Sequence, residues 1–266
     1  GNGHITRSTQ IISLLQENHQ VDILVSGKQN KLSYILNLKY EFKGFDLLFK
    51  KSGKINYLKS FKNFDLQQFS QDLKTVNFKD YDLVISDFEP ITAYGAKLNN
   101  IKSIGISNQN FIKKKTKNPF KKFFLNFFSP TDINISIDFF PDKNKNVFGP
   151  IIDLNLTKNT SQSKFVLVYL SHWNLKDIID CFKNLELPEE ISGFQVFHPD
   201  VKIWSIPIEN QFEQKFNAKS LSDKGYYITN KIDQSKLDKW IKFSQPDNSN
   251  FNNSAFEIVE FIKSCI

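Results

Sequence analysis

Two short runs hold most of the side chains that could do chemistry. The first is Gly1-Asn2-Gly3-His4-Ile5-Thr6-Arg7, a glycine turn feeding a helix with a histidine at the turn. Glycines let a backbone approach a ligand closely. The helix that follows offers free N–H groups and a partial positive charge to an anion. Two readings of His4 stand side by side. It is either a plain helix-start residue of a tight turn, or a general base or phosphate contact. An imidazole titrates close enough to neutral pH to take a proton from a hydroxyl. The second run is Glu209 to Asn217, polar at the start of a helix that directly follows an apolar strand. Its Asn210, Gln211, Glu213, Gln214 and Asn217 supply the paired donors and acceptors that a ribose or sugar ring needs. The plain alternative is a solvated first turn whose glutamate suits the helix dipole.

A third group is Ser86-Asp87-Phe88-Glu89-Pro90, where an apolar strand ends in a carboxylate. Ligands of open α/β sheets bind at the carboxyl ends of the strands. If the strand ending at Asp87 lies beside the His4 turn, the two side chains can meet, and Asp87 would hold the imidazole in one tautomer. The alternative is that Asp87 or Glu89 caps the helix that Pro90 opens. Asn108 and Gln109 follow the next strand, where amides can reach sugar hydroxyls or serve as ordinary loop residues. Lys113, Lys114 and Lys115 precede Lys121, Lys122, Phe123 and Phe124. Lysines interleaved with aromatics suit an anionic membrane surface; the alternative is a helix with phenylalanines in the core and lysines in water.

The elements that must position these groups alternate. His4–Asn18 is expected as a helix, Val21–Ser26 as a strand, and residues 34–60 as short strands turning at Gly44 and Gly53. Phe61–Thr75 is expected as a helix, Asp82–Asp87 as a buried strand, Pro90–Asn99 as a helix and Ile101–Ser107 as a strand. A polar linker, Asn155–Ser163, leads to a second series. It comprises strands at 165–170, 194–197, 203–208 and 226–229, and helices at 175–185, 212–224 (ended by Gly225), 235–243 and 255–265. Apolar strands alternating with amphipathic helices imply parallel sheets covered on both faces.

Composition narrows the function. With 266 residues, 40% hydrophobic and 24% charged, the chain is of ordinary globular type and long enough for one large or two modest domains. No run approaches the roughly 20 apolar residues that span a bilayer. The two cysteines, Cys181 and Cys265, fall in no spacing motif and fit a reducing compartment. The four histidines have no metal-ligand spacing, so no metal is expected. Net charge is +7 and pI about 9.1, which suits a nucleotide or an anionic surface. No nucleic-acid-binding signature accompanies the charge, so nucleic acid is not an expected partner.

At four stretches the chain resembles the GT-B glycosyltransferases of the MurG-like, UDP-N-acetylglucosamine-dependent group. These are Gly1–Ser8, Tyr81–Pro90, Ser103–Gln109 and Ile206–Ala218. The resemblance implies an α/β GT-B fold, with two Rossmann-like domains and a cleft between them. It places an acceptor domain at 1–157 and a nucleotide-sugar domain at 158–266, the last helix returning to the first domain. It implies that a sugar passes from a UDP-linked donor, a co-substrate rather than a cofactor, to a lipid-linked or cell-envelope acceptor. The outcome would be inversion at the anomeric carbon without a metal. It makes His4 and Asp87 catalytic, and Gly1, Gly3, Arg7, Glu89, Asn108 and Gln109 contacts to acceptor or diphosphate. Asn210, Gln211, Glu213, Gln214 and Asn217 would face the donor. Such a protein would work in the cytoplasm, at the inner face of the membrane. A UDP-sugar epimerase of the same fold, or a non-catalytic module binding glycan or membrane, would share many of these residues.

One departure matters. Where the group carries a Gly-Ala-Gly-type phosphate turn and a carboxylate-bearing helix, Val201-Lys202 runs straight into Ile203. The sequence also has no methionine and starts at the turn, without the strand expected ahead of it. The expectation is that the natural protein holds methionines and further stretches beyond these 266 residues. Its intact mass by mass spectrometry should then exceed 31.0 kDa by a wide margin; a mass of that value would refute the expectation.

Overall fold

The computed structural model describes residues 2–27, 37–45, 57–62, 64–142, 146–152, 175–182, 202–208, 211–246 and 253–266. The expected strands at 165–170 and 194–197, the linker at 155–163 and the turn at Gly53 lie outside them. The chain divides into two compact units. One comprises 1–50, 55–153 and 253–266, the other 51–54 and 154–252. The architecture is mixed α/β, with every strand ladder parallel among the described residues.

In the first unit, β1 (Leu24–Ser26) pairs with β2 (Tyr40–Phe42). A four-stranded sheet runs in the order β3 (Val84–Ser86), β4 (Ser103–Ser107), β5 (Ile133–Ile137), β6 (Val147–Phe148). Val84 aligns with Ser103, Ile104 with Ile133 and Ser136 with Val147. The side-chain period of two sends neighbours along a strand to opposite faces. On β3, Val84 joins one core with Val76, Phe78, Ile91 and Ala96, while Ile85 packs on the other. That other core holds Ile11 and Leu15 of α1 (Asn2–Gln16), Ile104, Ile106 and Ile135 of the sheet, and Ile258, Val259 and Ile262 of α10 (Ala255–Lys263). The C-terminal helix thus completes the core of the first unit.

Local chemistry sets the boundaries. The expected helix Phe61–Thr75 is two helices, α2 (Tyr57–Lys62) and α3 (Leu66–Thr75). Asp65 breaks it by capping α3, accepting from the Gln68 N–H at 2.9 Å. Glu89 caps α4 (Pro90–Asn99), and Asn100 closes it in the left-handed conformation. After β4 come α5 (Asn108–Lys115) and α6 (Pro119–Phe128). β5 and β6 have no counterpart among the sequence expectations. In Ile133-Asn-Ile-Ser-Ile137 the polar residues read as punctuation, yet Ser136 is fully buried and Asn134 half-buried.

The second unit contains α7 (Leu175–Phe182), β7 (Trp204–Ser205), α8 (Phe212–Asp223), β8 (Tyr227–Ile228) and α9 (Gln234–Lys242). β7 and β8 pair in parallel over a core of Cys181, Leu237 and Trp240, with Trp204 and Tyr227 against it. Gly225, at φ +88°, ends the α8 turn in a conformation that glycine adopts without strain.

α4 lies so close to the loop before β3 that a side chain at Gly95 would meet an aromatic ring. A Cβ there would stand 2.0 Å from the Phe78 ring, itself buried. Gly95→Ala should therefore destabilise the protein by about 1–3 kcal/mol despite alanine's better helix propensity. A thermal melt with an unchanged or raised midpoint would contradict this.

Candidate functional site

The inward stripe of α1 changes character along its length. Ile11 and Leu15 lie in the core, while His4, Arg7 and Ser8, one and two turns earlier on the same face, are polar. These three converge on one carboxylate, Asp87, the residue after β3. Arg7 Nε donates to Asp87 Oδ2 at 2.7 Å, and Arg7 Nη2 donates to Oδ1. Ser8 Oγ donates to Oδ2 at 3.3 Å. His4 Nδ1 stands 2.9 Å from Asp87 Oδ1 and 2.8 Å from Arg7 Nη2. The Asp87 and Arg7 side chains are each 18% exposed, that of His4 38%.

An ionised carboxylate only accepts and a guanidinium only donates, so Nδ1 cannot bond to both in one protonation state. Protonated at Nδ1, His4 donates to Asp87 and keeps Nε2 as an open acceptor. Unprotonated there, it accepts from Arg7. Burial alone would raise the Asp87 carboxyl. The Arg7 charge and the His4 contact outweigh burial and hold it below the usual carboxylate range.

The turn carrying Asp87 is tightly built. Phe88 sits at φ +52°, a conformation costly for a residue with a side chain. Glu89 follows, and its carboxylate takes the N–H groups of Ile91 (3.0 Å) and Thr92 (2.7 Å), the Thr92 hydroxyl (2.8 Å) and the Ser26 hydroxyl (2.6 Å). Those four bonds use the acceptor sites a carboxylate offers. Expected as an acceptor or diphosphate contact, Glu89 is instead the cap, and it ties α4 to the end of β1. Ser86 Oγ closes the turn by donating to the Glu89 carbonyl at 2.9 Å.

The other expected site residues fall as follows. Gly1 and Asn210 lie outside the described residues. Gly3 is inside α1, which starts two residues earlier than expected, so the first helical turn itself holds Gly3 and His4. Asn108 and Gln109 open α5 just past β4. Because β3 and β4 are parallel neighbours, both amides share the sheet edge with Asp87. In the second unit, Gln211 is the N-cap residue of α8, without a side-chain capping bond. Gln214 accepts from the Ile208 N–H at 2.8 Å, which fixes the strand-to-helix loop. Glu213 and Asn217 lie within α8. Lys113, Lys114 and Lys115 are in α5, and Lys121, Lys122, Phe123 and Phe124 in α6. Lys122 and Phe123 are exposed, but Phe124 is only 6% exposed and packs inward. Expected at the membrane surface, the Phe124 ring is instead part of the interior. Sequence reasoning missed Ser8, Ser26 and Phe88; Ser26 was signalled only by its place at the end of an apolar strand. Among the described residues, no group of three or more His, Cys, Asp or Glu side chains could hold a metal ion.

A family model described as Glycosyl transferase family 1 matches residues 1–196, which include α1, β3 and the whole Asp87 cluster. No curated protein and no solved structure matches the chain.

Removing the Asp87 charge takes away the carboxylate to which Arg7 Nε and Nη2 donate. Asp87→Asn should cost about 2–3 kcal/mol in denaturant unfolding at neutral pH. The carboxyl's folded pKa is depressed, so its contribution is present above the ordinary carboxylate value of about 4 and is lost as pH falls through the lowered value. Wild type should thus lose stability on acidification below about pH 4 by a component that Asp87→Asn lacks. Parallel pH–stability curves for the two proteins would refute this assignment.

Proposed function

This chain belongs to glycosyl transferase family 1 and is a glycosyltransferase, and we propose that it transfers a sugar from a UDP-linked donor to a lipid-linked or cell-envelope acceptor in the manner of the MurG-like group. The observation that carries the proposal is the 2.9 Å contact between His4 Nδ1 and the Asp87 carboxylate. With the proton held at Nδ1, Nε2 is the base. It takes the proton of the acceptor hydroxyl as that oxygen attacks the anomeric carbon. The bond from that carbon to the diphosphate oxygen breaks on the opposite face, and UDP leaves with the electron pair. One displacement inverts the centre. Asp87 stabilises the imidazolium that forms, as carboxylates do in other base–carboxylate pairs.

Arg7 has a positioning role in this scheme. Its fork on Asp87 aligns the carboxylate, and the first turn of α1 would add positive potential where the diphosphate develops charge. No step requires a metal. The acceptor would be taken by residues 1–157, with Asn108 and Gln109 on the same sheet edge as the base. The donor would be taken by 158–266, with Gln211, Glu213 and Asn217 toward ribose and sugar. Gln214 would act from its place on the Ile208 loop. The enzyme would work on the cytoplasmic side, at the membrane that holds its acceptor.

Calorimetric titration with UDP, GDP and other nucleoside diphosphates should show saturable binding of UDP. His4→Ala should keep that binding while transfer falls by about 10²- to 10⁴-fold. Full turnover in His4→Ala would remove the base. Failure of every nucleotide to bind would remove the donor class.

A further inference from the structure

Three polar atoms stand at the corners of one small triangle in the site. Asp87 Oδ1 lies 2.9 Å from His4 Nδ1, and Arg7 Nη2 lies 2.8 Å from the same nitrogen. Nη2 also donates to Oδ1. An ionised carboxylate brings no hydrogen to this triangle, and a guanidinium Nη2 brings two. Whether Nδ1 brings one decides how the triangle is held.

With a hydrogen on Nδ1, two donors compete for Oδ1 and face each other at 2.8 Å with no acceptor between them. Without it, the two hydrogens of Nη2 serve the two acceptors, one each. Asp87 pulls a hydrogen toward Nδ1, but it does not depend on the imidazole for partners. Arg7 Nε and Ser8 Oγ donate to Oδ2, and Nη2 donates to Oδ1. The guanidinium charge beside Nδ1 favours a lone pair there, and Arg7 is only 18% exposed, so water screens that charge little. The arrangement is the one in which the imidazole hydrogen sits on Nε2.

We propose that Arg7 holds the site at rest by keeping the hydrogen of His4 on Nε2. This rests on the reading of His4 as the base and adds its control. In the resting state Nε2 donates, so a hydroxyl or a water that meets it keeps its proton. The base appears when Nη2 leaves Nδ1. Nε2 then gives its hydrogen to solvent and Nδ1 takes one, with no net change in charge. The His4 side chain is 38% exposed, which permits the exchange. Nδ1 now donates to Asp87 Oδ1, as the displacement requires. Arg7 is thus a positioning residue that acts on the proton of His4 as well as on the Asp87 carboxylate. A base that is idle at rest also spares a bound sugar donor from attack by water.

The test is long-range proton–nitrogen NMR of the full chain with nitrogen-15-labelled histidine, at about pH 9, well above the ordinary imidazole value of about 6.5. Neither donor nor acceptor is present. Failure of the base reading shows elsewhere, as full turnover in His4→Ala, so the two failures are told apart. The signals lost in His4→Gln assign His4. In wild type its Nε2–H form should exceed its Nδ1–H form by roughly ten-fold or more. Arg7→Met keeps the length of the side chain and removes its donors. It should reverse the preference, because Asp87 is then the partner described at Nδ1 that remains. The exposed His19 should be the same in both proteins. A predominant Nδ1–H form in wild type would overturn the proposal, whether or not Arg7→Met folds. So would an Arg7→Met protein in which His4 keeps the wild-type ratio.

Discussion

A carboxylate removed from most of its water must be given charged or hydrogen-bonding partners, or it will not stay ionised. Asp87 draws its partners from a single helix. Arg7, Ser8 and His4 reach it from the first turns of α1, and Ile11 and Leu15 continue the same stripe into the core. Burial of the apolar half of the helix therefore sets the position of its polar half. The same sheet core that stabilises the unit holds the imidazole against the carboxylate. α10 adds Ile258, Val259 and Ile262 to that core, so residues nearly 250 positions apart in sequence jointly hold α1 in place.

The turn after β3 shows the cost of presenting a side chain at a sheet edge. Phe88 occupies a left-handed conformation that disfavours any residue with a Cβ by roughly 1–2 kcal/mol. Bonds around it offset that cost. Glu89 caps α4 and takes the Ser26 hydroxyl, Ser86 locks the turn, and the Phe88 ring stacks on Phe128. Such local strain persists only where neighbours over-determine it, and it gathers at functional sites. Here it falls one residue from the proposed catalytic carboxylate.

Membership of the glycosyltransferase family gives this cluster its chemical context. Sugar transfer needs a base for the acceptor hydroxyl and stabilisation for a departing diphosphate. In the proposed reading, an imidazole on a carboxylate and the start of a helix would meet those two needs within one turn of chain. In the second unit, α8 starts with amide and carboxylate side chains, and one of them, Gln214, is already committed to the backbone at Ile208.

Strand and helix identity was legible in the sequence wherever one periodicity ran uninterrupted. Pro90, Gly225 and the run Asp82–Asp87 announced a helix start, a helix end and a buried strand because each rests on local backbone chemistry. The meeting of His4 with Asp87 was also foreseeable, since a parallel sheet collects strand ends at one edge. The fate of particular side chains was not. Glu89 read equally as ligand contact or cap, and only the position of Ser26, far away in sequence, filled its last acceptor site. β5 was hidden because Asn134 and Ser136 look like turn residues until strands on both sides bury them. In α6, phenylalanine occurs at 120, 123, 124, 127 and 128, more rings than one buried stripe holds, and the polar face of Lys122 and Asn126 does not say which of them stay outside. Sequence alone determined that this helix is aromatic and flanked by lysine. Tertiary packing decided that Phe124 and Phe128 face inward while Phe123 and Phe127 are largely exposed, because the inward rings pack on Phe88 and Phe45, which the helix's own sequence does not contain.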